Sequence, residues 1–79
     1  MIILQTKLYE ELKFQMYTSA IDAEVKRNKA EIELTKENGP IDKWVLTNFL
    51  NYDNEWRIAV FKYNRLLELR TNNDIELKD

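Results

Sequence analysis

At 79 residues the chain has room for one small domain, and the absence of Cys removes disulfides and thiolate metal sites as supports. The absence of His removes the commonest metal ligand and general base. Lys and Arg number 12 against 14 Asp and Glu, a formal charge of −2, which is too mild for a strongly basic nucleic-acid binder or an acidic mimic of a duplex. Domains this small usually lean on a disulfide, a metal or a partner chain. Oligomerisation is the support that remains. No apolar run is long enough to cross a bilayer. The N-terminal residues lack a basic region followed by an apolar segment of about 7–15 residues, so no signal peptide is expected and the expected location is the cytoplasm.

In chain order, helix A is expected from about residue 4 to residue 37. At about 100° per residue it carries two apolar stripes. Leu8, Leu12, Met16, Ala20, Ala23, Ala30 and Leu34 lie on one side. Phe14, Tyr17, Ile21, Val25 and Ile32 lie almost opposite and are the candidate oligomer interface. A helix at the edge of a monomeric hairpin needs one stripe; two stripes need two partners. One partner is the second helix of the same chain. The other is most economically a second copy, giving a homodimeric four-helix bundle.

The only Gly and the only Pro stand side by side in Asn38-Gly39-Pro40. Gly39 suits the left-handed residue that closes a helix, and Pro40 cannot continue it. A turn over residues 38–41 is therefore expected. Helix B follows over about 42–71. Asp42 can cap it, with Ile41 and Leu46 at hydrophobic-staple spacing, and Pro40 at its first position is the rival boundary. Within it Val45, Phe49, Tyr52, Trp56, Ala59, Tyr63 and Leu66 recur at alternating spacings of four and three, a core seam of apolar and aromatic residues. Val60 and Leu67 widen it. The expected fold is all-α: a single domain, 1–79, built as an antiparallel two-helix hairpin that dimerises. Residues 72–79 lose the helical pattern and are expected to fray, although Ile75 and Leu77 could dock on a neighbour.

The chemistry of a catalyst is missing. Ser19 has no His to activate it, and one glycine cannot make a phosphate loop. No catalytic residue, cofactor or metal is expected. Glu10–Glu11 and Glu31–Glu33 read as solvated surface charge, and Asp22–Lys26, Asp53–Arg57 and Glu33–Lys36 have the spacing of helix-stabilising pairs. The one dense basic spot, Lys26-Arg27-Lys29, is flanked by Glu24 and Glu31, an alternation that suits phosphate poorly.

Gln5-Thr6-Lys7-Leu8-Tyr9 resembles the peptide that bacterial replication proteins insert into the sliding clamp: Gln, two variable residues, Leu and an aromatic. The resemblance covers five residues of 79 and implies partner-binding roles for Gln5, Leu8 and Tyr9. It departs from the pattern at Thr6, usually aliphatic, and at Tyr9, usually Phe. The chain is small, charged, helical and rich in Asn, Lys and Ile. In that it resembles in style the small early proteins with which phages of low-GC Gram-positive bacteria block host machinery. That resemblance implies a stoichiometric regulator or inhibitor of a host protein, in replication or transcription, with the sliding clamp as a specific candidate. Two alternatives are a structural or assembly subunit of a larger helical complex and a nucleic-acid-binding module.

Overall fold

The computed structural model describes residues 1–36 and 42–79. The expected turn at Asn38-Gly39-Pro40, and Ile41 with its part in a staple, lie outside the described residues. The element order is β1 (Ile2–Gln5), α1 (Thr6–Thr35), α2 (Lys43–Thr71) and β2 (Ile75–Lys78). The chain is mostly helical, and its two helices pack against each other as an antiparallel hairpin. Tyr17 meets Tyr63, Arg27 meets Asp53, and Ala30 lies beside Val45, so positions rise along α1 as they fall along α2. The molecule is a rod with extents of 57 × 18 × 15 Å.

The caps follow ordinary chemistry. Asp42 is the N-cap of α2, and its side-chain oxygen accepts from the Trp44 backbone N–H at 2.8 Å. Gln5 precedes α1 in extended conformation and donates no side-chain cap. Helix α1 therefore starts at Thr6 and not at residue 4, because Ile2–Gln5 is drawn into a strand.

The hairpin expectation holds with one addition, a two-stranded parallel sheet of β1 and β2. The segment after α2 does not fray. Asn73 sits at φ 64°, in the left-handed region that Asn tolerates better than most residues. Around it the Asp74 N–H donates to the Leu69 carbonyl at 2.8 Å and the Asn73 N–H to the Arg70 carbonyl at 3.2 Å. These are the two bonds of a Schellman ending. The ending reverses the chain, and only a reversal there lets β2 run parallel to β1. The sequence Ile75-Glu76-Leu77-Lys78 then alternates apolar and charged, as a half-buried strand does. Its register sets Ile2 beside Ile75 and Leu4 beside Leu77.

The core lies at this end of the rod. Tyr9 from α1, Leu66 from α2 and Ile75 from β2 are its buried members, at 4%, 8% and 2% exposure. Leu4, Leu12, Met16, Leu69 and Leu77 pack around them. Full burial of one such aliphatic side chain is worth about 1.5–3 kcal/mol. A two-stranded sheet is not stable alone, so β1 and β2 owe their order to this packing.

Two substitutions test the Schellman ending. Asn73→Gly should leave stability unchanged or raise it, whereas Asn73→Val should lower it by about 1–2 kcal/mol, because a β-branched residue pays for positive φ. Urea unfolding followed by circular dichroism measures both.

Candidate interaction surface

Apart from Thr6 and Lys13, the half-buried and buried positions on α1 are Tyr9, Leu12, Met16, Ala20, Ala23, Arg27, Ala30 and Leu34, spaced by three and four. They form one face, turned to α2. The seam residues Val45, Phe49, Tyr52, Trp56, Ala59 and Tyr63 are half-buried on α2, and Leu66 is buried. Ala30 lies beside Val45 and Tyr52, and Ala23 beside Ala59, so small side chains let the two helices approach closely. The Tyr17 and Tyr63 rings meet at 5.7 Å between centroids, tilted by 53°.

Arg27 occupies a seam position where an apolar residue is the norm. Its Nε donates to Asp53 Oδ1 at 2.9 Å and its Nη1 to Glu31 Oε2 at 2.6 Å. The guanidinium also lies 5.2 Å from the Trp56 ring centroid and 5.3 Å from that of Phe49. Asp53 Oδ2 accepts from Arg57 Nε at 2.7 Å, so one carboxylate serves two guanidinium groups. The bonds from Arg57 and then Arg27 hold the Asp53 carboxyl below its ordinary value, and its side chain is only 14% exposed.

The second stripe of α1, Phe14 (69% exposed), Tyr17, Ile21, Val25 and Ile32, is exposed. Phe14, Ile21 and Val25 lie about opposite the seam on a helical wheel, whereas Tyr17 sits at its flank and meets Tyr63, and Ile32 borders a groove shared with Val45 and Tyr52. Helix α2 adds exposed apolar residues that the heptad seam does not announce. Leu46 and Leu50 project to one side of its seam, Trp44 and Ile58 to the other, and Phe61 nearly opposite it. The side carrying Leu46 and Leu50 is also the side on which Asp53 and Arg57 meet Arg27 and Glu31.

The three residues of the clamp-like segment are not brought together. Gln5 is the exposed end of β1, Leu8 is exposed on the first turn of α1, and Tyr9 is in the core. The segment is split across a strand and a helix, and its aromatic side chain is occupied. The basic spot is likewise reduced, because Arg27 is tied to Asp53 and Glu31 while Lys26 and Lys29 stay exposed. Glu10 pairs with Lys13 at 3.1 Å and Glu33 with Lys36 at 3.6 Å, whereas Asp22 and Lys26 form no ion pair. Among the described residues no three acidic side chains converge as metal ligands would. On the flank away from Asp53 the helices leave shallow grooves, one of them lined by Lys26, Lys29, Ala30, Val45, Asn48 and Tyr52. No described helix is long and apolar enough to cross a membrane.

Sequence reasoning missed Arg27 as a seam residue, although the gap between Ala23 and Ala30 in an otherwise regular stripe marks its position. Asp53 gives a pH test. A carboxyl depressed in the folded state adds stability above its unfolded pKa of about 3.9 and loses it as pH falls through the lower folded value. Asp53→Asn should therefore be less stable than the parent at neutral pH. The gap should close as pH falls below that unfolded value, as read from urea midpoints across pH.

No family model, curated protein or solved structure matches this chain.

Proposed function

We propose that the chain is a non-enzymatic protein–protein interaction module that pairs with a second copy through the outer stripe of α1 and engages a further protein in the cytoplasm. The observation that carries this is the imbalance between what the fold hides and what it shows. Among the described residues three are buried, while Phe14, Ile21, Val25 and Ile32 of one helix and Leu46, Leu50 and Phe61 of the other are exposed. The accessible surface is 6152 Å² for 9.6 kDa. A compact chain of that mass exposes about 5,100 Å². The difference, about 1,050 Å², reflects the elongated 57 × 18 × 15 Å shape and leaves room for the roughly 800 Å² that each partner gives to a standard interface. Contiguous apolar patches of this kind on soluble proteins usually mark contacts.

The missing catalytic residue types favour binding over chemistry. The chain has no His or Cys, and several carboxylates of the described residues are paired to Lys and Arg on helix faces, which leaves few groups for acid–base or nucleophilic work. The resemblance to small phage takeover proteins supports a stoichiometric regulator of a host protein in replication or transcription. Recognition through Gln5, Leu8 and Tyr9 would require the end of the rod to open and release Tyr9, which makes the clamp the less economical target. The helical stripe needs no such opening.

Light scattering on the parent and on the triple variant Phe14→Lys, Ile21→Lys, Ile32→Lys tests the proposal. The parent should be a dimer or larger, and the variant a monomer of unchanged helicity. Each polar substitution in a buried contact costs on the order of 1–2 kcal/mol, so the three weaken association at least about a hundredfold. A parent that stays monomeric at millimolar concentration would falsify the self-association.

A further inference from the structure

The two strands differ in how their outer edges are finished. In a parallel pair, alternate residues of a strand direct their backbone N–H and C=O groups to the partner and the rest direct them away. The Ile2 N–H donates to the Asp74 carbonyl at 2.8 Å, with Ile2 beside Ile75 and Leu4 beside Leu77. Ile2 and Leu4 therefore spend their backbone groups on β2, and Ile3 turns its own outward. On β2 the outward groups belong to Ile75 and Leu77. There the Ile75 carbonyl accepts from Arg70 Nη1 at 3.4 Å, and the strand bears Glu76 and Lys78. Charged side chains and such covers are what keep an edge strand from pairing. Strand β1 has no charge and no proline from Ile2 to Gln5. Its Ile3 is 56% exposed, and no other described strand lies beside it.

We propose that the outer edge of β1 pairs antiparallel with β1 of a second copy, across a two-fold axis at Ile3, in a four-stranded sheet of order β2-β1-β1-β2. The strand suits itself as a partner. Pairing centred on Ile3 sets Ile3 against Ile3 and Ile2 against Leu4 of the second copy. No charge opposes another, because the strand has none. The Ile3 N–H and C=O groups satisfy each other across the axis as a mutual pair. Ile2 and Leu4 extend the apolar face already formed with Ile75 and Leu77, and on the other face the two Ile3 side chains lie side by side. A two-fold antiparallel contact closes on itself, so it adds one copy and stops. A four-residue ladder is small, so it accompanies the contact proposed for the outer face of α1. It uses other atoms, and where both contacts form the assembly grows beyond a dimer.

The chain contains no Cys, so single-Cys variants report the contact cleanly. Ile3→Cys should form an interchain disulfide under mild oxidation, because residues opposed in a hydrogen-bonded antiparallel pair lie about 5.5 Å apart at Cα, within disulfide reach. Glu76→Cys, on the protected strand, should link at least about tenfold more slowly. Ile3→Pro removes only the outward N–H and should lower the mass seen by light scattering relative to Ile3→Ala, with unchanged helicity. If Ile3→Pro disturbs the fold, the cross-linking rates decide. Equal linking by Ile3→Cys and Glu76→Cys overturns the proposal. The triple Lys variant separates the two contacts. If Ile3→Cys still links in that background, the edge holds without the stripe. If the triple variant is monomeric and Ile3→Cys in the parent links no faster than Glu76→Cys, the stripe stands and the edge falls.

Discussion

The meeting of Tyr9, Leu66 and Ile75 is the contact on which the architecture depends. Each comes from a different element, and each is spent on the other two. A pair of antiparallel helices with half-buried faces can slide along a common seam at little cost, because one layer of a regular repeat resembles the next. A plug at one end removes that freedom. Ile75 reaches the plug only because Asn73 turns the chain back, and Tyr9 reaches it only because α1 begins where β1 stops. The ordered end of the rod therefore sets the position of everything along it.

Toward the middle, a polar device performs a related task. Taking Arg27 and Asp53 part-way out of water costs solvation, and the ion pair returns little more than that cost. What it adds is position. A slip of one turn would separate the guanidinium from Asp53 and from the faces of Phe49 and Trp56, and leave a charge among rings. The same network carries Arg57 and Glu31 to the surface, where both side chains are exposed. A covering partner would have to answer charge as well as fill apolar area, which gives the face a means of selecting what lies on it.

The hairpin was legible because periodicity is a local signal repeated many times. The aromatics from Phe49 to Tyr63 and the alanines of α1 announce a packed seam through spacing alone. The strands were not legible for the opposite reason. Ile2-Ile3-Leu4-Gln5 is four residues long and runs into a helical pattern without a break, and its partner is at the far end of the sequence. Ile75-Glu76-Leu77-Lys78 does show the period of a strand, but a strand without a visible neighbour reads as a tail. The left-handed turn at Asn73 was hidden in a run of polar residues. Tyr9 was read as a contact for another protein, since its place in a short motif said more than its place on a helix. Arg27 was read as surface charge, because residue type outweighed position. The exposed groups of α2 were overlooked because a strong seam draws attention from the residues between its repeats.

Parallel pairing between strands from distant parts of the chain has a consequence for the order of folding. Ile2 and Ile75 are neighbours only after α1 and α2 have run out and back, so the strand ladder has about the longest contact order this chain can offer. Closing so long a loop in an unstructured chain is slow and entropically costly, whereas helices form locally and quickly. The hairpin thus acts as its own template: zipping of the seam shortens the effective loop until the strands lie side by side, and the plug of Ile75 is set last. Once set, the buried plug ties the two distant strands together, so the contact that forms last is the one that fixes the register of the seam.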